Sequence, residues 1–352
     1  MTTTTTRVLL AGFYPPPYAG EPIHVKQLGQ FLRGHGLQVD ILNLNRHAPP
    51  SPDYQSASGR SSMVRSLFGL PDRSSILHLH TNGHNWKSWL MIGVAALAAR
   101  LKGVKTILTI HSGLFPGYVR TLGSGRRRLS RWILGSFGHV IAVNQEIAEA
   151  MQSLGIRGAH LSVIPAYLGV PQAPSLDPAD RAVVNGARPL LVAVGGGDRD
   201  PELGLPTVIE ALPDLARAFP ELRTLFIGWQ VGPKTQPLID ARDLGKHAVC
   251  IGEVSHERCL GLLQGADVVV RSTFTDGDAI TVREALDLGI PVVASDTDFR
   301  PAGVTLFKKG DSRDLRAKLE QVLGSTPPHL ERGADSAQAG RELWRIYSGL
   351  LR

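Results

Sequence analysis

The sequence predicts an α/β protein of two doubly wound domains facing each other across a cleft. Three observations carry that prediction. Short apolar runs alternate with longer helical patterns along the whole chain, which is how βα units around a parallel sheet read. The alternation breaks at Y-L-G-V-P-Q-A-P-S-L-D-P-A-D over 167–180, where three prolines and no periodicity mark a join between domains. The length of 352 residues, 43% of them apolar and 20% charged, suffices for two cores at about 150 residues each and excludes wholesale disorder.

In the first domain (1–168), strands are expected at 8–12, 39–44, 76–80, 105–110, 139–143 and 162–165. Helices are expected near 24–34, 86–101 and 146–154. Asn144 is placed to cap the last of these through its side chain, and Gly155 to end it. Residues 169–187 form the expected linker. The second domain (188–330) restarts with a strand at 189–195, which runs into Gly195, Gly196 and Gly197. Further strands are expected at 223–228, 248–252, 267–272 and 291–295, with helices at 206–218, 255–265, 279–288 and 312–323. The polar stretch 325–337 leads to an amphipathic helix at 339–352, carrying Leu343, Trp344, Ile346, Tyr347 and Leu350, which is expected to return to the first domain. Open α/β sheets bind ligands beyond the carboxyl ends of their strands, so the cleft is the expected site.

Composition narrows the function. Thirty-eight Lys and Arg against 31 Asp and Glu leave a net charge of +7, which favours anionic partners. Cys250 and Cys259 are the only cysteines, too few for a disulfide scaffold or a cysteine zinc cage. The longest apolar run, 89–99, is shorter than the ~20 residues of a membrane span and reads as a helix buried against a sheet. The start M-T-T-T-T-T has no basic n-region, so no export signal is expected. The expected location is cytoplasmic, including the inner face of the cytoplasmic membrane.

The chemistry concentrates in V-V-V-R-S-T-F-T-D-G-D-A-I-T-V-R-E-A-L-D-L-G-I-P-V-V-A-S-D over 268–296. A buried strand ends in a loop holding Asp276, Gly277 and Asp278. A helix then opens near Ala279, with Asp278 placed to cap it. Its first amides, at Ala279, Ile280 and Thr281, would aim free N–H groups and the positive end of the dipole at the cleft, a site for a diphosphate. Glu284 lies five residues beyond Ala279, ~7.5 Å further along the axis. The two acidic positions can therefore hold two ends of one elongated ligand, since carboxylates accept paired hydrogen bonds from vicinal hydroxyls.

This segment resembles the family 4 glycosyltransferases of the GT-B fold, with its two Rossmann-like domains. That family typically shows two glutamates separated by seven residues, the second followed by A-x-x-x-G-x-P-V-x-A-S/T. Spacing and flanks match in D-G-D-A-I-T-V-R-E-A-L-D-L-G-I-P-V-V-A-S, with Asp276 at the first glutamate. The resemblance extends to Y-P-P-P-Y-A-G over 14–20 with His24, to Thr109-Ile110-His111, and to Val163-Ile164-Pro165. It implies retaining transfer of a sugar from a nucleotide diphosphate donor, a UDP- or GDP-sugar, to a glycan or lipid-linked acceptor in polysaccharide or glycolipid synthesis. No cofactor and no metal is implied. Glu284 would hold the ribose, Asp276, Asp278 and Ala279 the donor sugar, and His111 would border the reacting bond. The loop at Gly20 would approach the diphosphate or the acceptor. Catalysis would then rest on position and on stabilising the departing charge.

The family's diphosphate-neutralising lysine falls at Leu203 in this chain, and its arginine near Gly196–Asp198, where Arg199 is the nearest cation. Arg271 and Arg300 are the alternatives. Two other readings stay open: a nucleotide-sugar epimerase of the same fold, and a relative that has lost its grip on the donor and binds anions or membranes. Asp276-Gly277-Asp278 is also a D-x-D, which elsewhere holds a divalent metal. Gly195–Gly197 lacks the order of a dinucleotide fingerprint and suits close approach of phosphate to bare backbone. His78, His80 and His84 lack a carboxylate at metal-site spacing and read as packed strand-end histidines. Finally, Arg126, Arg127, Arg128 and Arg131 beside Leu129 and Trp132 make a basic amphipathic helix. It is either a solvated face or a dock for an anionic membrane surface or a lipid-linked acceptor. Nucleic acid is not expected, since no recognition motif accompanies the charge.

Overall fold

The structure, a computed structural model, describes residues 6–57, 75–169, 176–195, 204–325 and 334–351. It divides into two compact units, Met1–Gly169 with Asp335–Arg352, and Val170–Ala334.

The first unit is a parallel sheet of seven strands among the described residues, in the order β3-β2-β1-β4-β5-β6-β7. The strands are β1 (Arg7–Gly12), β2 (Gln38–Asn43), β3 (Gln55–Ser56), β4 (Ile76–Thr81), β5 (Lys105–Ile110), β6 (His139–Ala142) and β7 (Leu161–Val163). Between them run α1 (Gly20–Gly34), α2 (Trp86–Lys102), α3 (Phe115–Arg120), α4 (Ser124–Gly135) and α5 (Gln145–Ser153). Asn144 does cap α5, its side chain accepting from the Ile147 amide at 2.8 Å, and Gly155 follows with φ +90°, as the capping rules demand. The strand order reverses between β1 and β4, which makes their carboxyl ends the switch point of this sheet. Gly12 ends β1 there because a Cβ would stand 2.8 Å from the His80 Cβ on β4.

Helix α2 differs from expectation. Asn85 caps it and Gly103 ends it in the left-handed region, but it is buried along one side only. Trp89, Ile92, Ala95 and Ala99 face the core, whereas Trp86, Leu90, Leu97 and Leu101 are exposed.

The second unit is a six-stranded parallel sheet, β10-β9-β8-β11-β12-β13. Its strands are β8 (Leu190–Val194), β9 (Arg223–Ile227), β10 (Ala248–Gly252), β11 (Val268–Arg271), β12 (Val292–Ser295) and β13 (Thr305–Phe307). Successive residues of β8 enter opposite cores. Leu191 and Ala193 pack with Val208, Leu212 and Leu319 on one side, and Leu190 and Val192 pack with Leu262, Val282 and Ala285 on the other. A strand buried on both faces is apolar throughout, which is why L-L-V-A-V reads as a continuous run. The order reverses between β8 and β11, the switch point of this sheet.

The covering helices are α6 (Pro178–Val184), α7 (Leu205–Ala218), α8 (Val231–Asp240), α9 (His256–Gln264), α10 (Ile280–Asp287) and α11 (Ser312–Leu323). Part of the segment expected as linker is therefore helical. Asp177 caps α6 through the Ala179 amide at 2.8 Å, Pro178 opens it, and the buried Asp180 holds Arg258 of α9 through bonds of 2.9 and 2.7 Å. Proline at a first helical position favours a helix.

The last helix, α12 (Ala334–Leu351), belongs to the first unit. Leu343 and Tyr347 enter the core of Val8, Leu10, Leu28 and Leu32. The buried Tyr347 hydroxyl bonds His78 Nδ1 at 2.7 Å.

Candidate functional site

The acidic loop singled out by sequence follows β11, at the switch point of the second sheet, whereas His111 follows β5, one strand beyond the switch point of the first. In the second unit the loop after β11 carries Asp276, Gly277 and Asp278 into α10. Opposite, at the end of β8, lies Gly195; Gly196, Gly197 and Arg199 lie outside the described residues. Gly204, the first described residue after them, has φ +64°, and a Cβ there would fall 1.9 Å from the Ser272 carbonyl oxygen. Only glycine allows this approach of the two loops.

Asp276 sits inside an arginine clamp. Arg271 donates to both its oxygens, from Nε at 3.0 Å and Nη2 at 3.2 Å. Arg300 Nη1 reaches it at 2.9 Å and the Thr273 hydroxyl at 2.9 Å. Burial alone would raise its pKa, but the Arg271 and Arg300 guanidinium groups outweigh that and hold the carboxyl well below the usual range. Arg300 is itself almost fully enclosed, donating to the Ser295 carbonyl at 3.1 Å and to the Thr273 hydroxyl at 3.0 Å. Arg271, with 17% of its side chain exposed, also donates to the Val194 carbonyl at 3.0 Å, tying the end of β8 to the Asp276 loop.

Three sequence expectations change here. Asp278 does not cap α10; the cap position is Ala279, with no side-chain bond, and Asp278 pairs with Arg283 Nε at 2.7 Å. The Ile280 amide, expected to face a diphosphate, bonds the Asp278 carbonyl at 3.0 Å. Glu284 does not project an open carboxylate. It is 1% exposed and accepts from His256 Nε2 of α9 at 2.5 Å. Burial and the Glu284 charge push the neighbouring Cys259 thiol up to about 12. The D-x-D reading as a metal site meets a donor set already matched to guanidinium groups, since both carboxylates are arginine-paired.

In the first unit His111 follows β5 directly and is buried among histidines. Its Nε2 lies 3.1 Å from His80 Nδ1, and its ring lies tilted against that of His24, 5.1 Å between centroids. His24 Nδ1 donates to the Ala166 carbonyl at 2.6 Å, fixing its tautomer. His78 is bonded at both nitrogens, to Tyr347 and to the Thr109 hydroxyl at 2.7 Å. Burial lowers the pKa of His24 to about 4 and those of His78, His80 and His111 well below the ordinary value, so the cluster is neutral at pH 7. His80 Nε2 is buried without a hydrogen-bond partner, an orphan that a ligand hydroxyl can satisfy. One nitrogen each from His24, His80 and His111 lies within 4.8 Å of the others, the one group among the described residues with the composition of a metal site. Within it, His80 Nδ1 and His111 Nε2 are also within hydrogen-bond distance of each other. Gly20 opens α1 at the surface, and Glu21 beside it is buried, bonded by the Phe13 amide at 3.2 Å. Burial raises the Glu21 pKa to about 7. Sequence reading missed Glu21 and His256, because nothing local shows that a charged side chain at a helix start is enclosed.

Helix α4 carries Arg126, Arg127, Arg128, Arg131 and Trp132. Arg127 is structural, donating to the carbonyls of Val119 at 3.1 Å and Ser153 at 2.9 Å. Arg131 lies over Gly155 at the end of α5. Arg126, Arg128 and Trp132 face solvent.

Two doubly wound sheets, each with polar groups gathered at its reversal, are the architecture of the GT-B fold. Solved structures share that fold. Sucrose-phosphate synthase from Thermosynechococcus elongatus superposes with a TM-score of 0.72 at 18% identity over 98% of this chain and 99% of its own. The Anabaena protein HepE, solved with UDP and glucose, gives 0.69 at 15% identity over 99% and 95%. Residues 7–166 match the Glycosyl transferase 4-like domain and residues 184–338 the Glycosyl transferases group 1 family. Phosphatidyl-myo-inositol mannosyltransferase of Mycobacterium leprae is 24% identical over 94% of this chain and 91% of that protein. Its Mycobacterium tuberculosis counterpart is 26% identical over 79% and 74%. The chain belongs to the family 4 glycosyltransferases and is a transferase enzyme.

Proposed function

We propose that the chain transfers a sugar from a nucleotide diphosphate donor, a UDP- or GDP-sugar, to a lipid-linked acceptor hydroxyl, with retention at the anomeric carbon. The observation that carries this reading is the α10 terminus, which opens with no side-chain cap between Arg271 and Glu284 at the switch point of the second sheet. Helix starts of this kind favour phosphate oxygens. The amides of Ala279 and Thr281 take the diphosphate, and Arg271 supplies the cation that Leu203 does not. Arg300 is excluded from that task because its guanidinium is enclosed. Glu284, oriented by His256, accepts from the ribose. Asp276 acts through the position of Arg271, and Gly277 and Asp278 shape the loop beside the donor sugar.

The acceptor oxygen bonds to the anomeric carbon as the bond to the diphosphate breaks, and the acceptor proton passes to the departing phosphate oxygen. No side-chain base is needed, which suits a neutral histidine cluster. His111 and the orphaned His80 Nε2 serve as hydrogen-bond partners for sugar hydroxyls. Relatives named for phosphatidyl-myo-inositol support a glycolipid acceptor. The enzyme then works at the inner face of the cytoplasmic membrane, with Arg126, Arg128 and Trp132 towards the lipid. No helix among the described residues is long and apolar enough to cross a membrane.

Calorimetry with UDP, GDP and ADP tests the donor site. Arg271→Gln and Glu284→Gln are each expected to weaken the preferred diphosphate by about tenfold or more, and His111→Ala to lower turnover with little change in that affinity. Unchanged affinity in both donor-site variants would refute the assignment. The anomeric configuration of the product, read by NMR, tests retention.

A further inference from the structure

We propose that α2 and α4 together form a surface that docks on an anionic lipid bilayer, with an apolar ridge entering the headgroup layer and cations beside it. The proposal rests on the glycolipid reading for its purpose, but its evidence is independent of the donor site. Six large apolar side chains among the described residues are half or more exposed: Trp86, Leu90, Leu97 and Leu101 on α2, and Leu129 and Trp132 on α4. All six lie on these two helices. Residues 86, 90, 97 and 101 follow helical spacing, so they form a single stripe along four turns of α2. The two helices touch, with Ile133 of α4 3.5 Å from where a Cβ on Gly93 of α2 would stand.

The charge around this ridge has one sign. Helix α2 carries Lys87, Arg100 and Lys102, helix α4 carries Arg126, Arg127, Arg128 and Arg131, and neither helix contains an Asp or Glu. Exposed apolar side chains in one place mark an interaction surface. A bilayer rich in anionic headgroups complements both features, offering hydrocarbon to Leu and Trp and phosphate to Arg and Lys. A second copy of the chain fits less well, because a twofold contact would set these cations against each other. Tryptophan at both the start of the ridge and on α4 suits the level of the headgroups, where its ring finds apolar surroundings and its N–H finds acceptors.

The test uses the full chain with vesicles of phosphatidylcholine alone and of phosphatidylcholine mixed with phosphatidylglycerol, separated by flotation. The chain is expected to float with the anionic vesicles, to stay behind with the neutral ones, and to be released as salt is raised. Arg126→Ser with Arg128→Ser should weaken partitioning about thirtyfold. Leu97→Ser with Leu101→Ser should weaken it by about tenfold or more, with unchanged UDP affinity and thermal midpoint, since both side chains are exposed. Parent protein that stays in solution with anionic vesicles overturns the proposal, as do variants that float like the parent. So does a parent dimer that Leu97→Ser/Leu101→Ser converts to monomer, which would make the face an interface between copies. Flotation without nucleotide binding would leave the docking surface standing and remove the donor-site reading; the reverse result would do the opposite.

Discussion

Replacing Glu21 by glutamine should stabilise the protein, and only above acid pH. The Glu21 side chain is buried at the start of α1, and burial raises its pKa from 4.5 to about 7. Below pH ~4.5 the carboxyl is protonated in both folded and unfolded chains, so enclosure costs the folded state nothing through this group. As pH rises towards 7, the unfolded chain releases the proton while the folded chain retains it. Stability then falls by about 1.36 kcal/mol for each pH unit between the two values, ~3 kcal/mol in all. Above pH 7 both states are ionised and the loss is constant. Glutamine keeps an oxygen for the Phe13 amide and never ionises, so the variant should match the parent near pH 4 and exceed it by ~3 kcal/mol at pH 8. Urea unfolding of both proteins from pH 4 to 8.5 reads this difference directly. The buried histidines contribute equally to both proteins and cancel. A difference that does not vary with pH, or a variant weaker than the parent at pH 8, would refute the account.

Asp276→Asn should destabilise the second unit by ~3 kcal/mol or more, because Arg271 and Arg300 would lose their counter-charge while still enclosed; denaturation at pH 7 checks it. The same carboxyl, held below its usual range, contributes stability at neutral pH that is lost only below about pH 4, as protonation sets in. Gly204→Ala should lower the thermal midpoint by several degrees, since the new methyl group meets the Ser272 carbonyl and the backbone angle is strained; differential scanning calorimetry would show it. Tyr347→Phe removes the partner of His78 Nδ1 and should cost about 1–2 kcal/mol in unfolding experiments.

The alternation of strands and helices was legible because strands covered on both faces are apolar along their length, as β8 is throughout and β11 is up to Arg271. The Asn144 cap was legible because its chemistry is local. What escaped depends on partners distant in sequence. Asp276 meets Arg300 across 24 residues, and Glu284 meets His256 across 28, so both acids looked open from their local sequence. Asp278 was expected to cap α10, but its own carbonyl and Arg283 use that loop differently. The run 89–99 gave no sign of an exposed side because its outward face is as apolar as its inward one, and periodicity needs contrast to be seen. Helix α6 was hidden by prolines, although Pro178 occupies the first helical position, where its missing N–H leaves no helical bond unmade.

The return of α12 to the first sheet sets an order of assembly. The second unit, 170–334, leaves the ribosome whole and can close its core as it emerges. The first unit cannot, because Leu343 and Tyr347 arrive only after the whole second unit has been translated. Until then the apolar bed of Val8, Leu10, Leu28 and Leu32 stays open to chaperones, and cutting the chain at residue 333 would keep it open permanently.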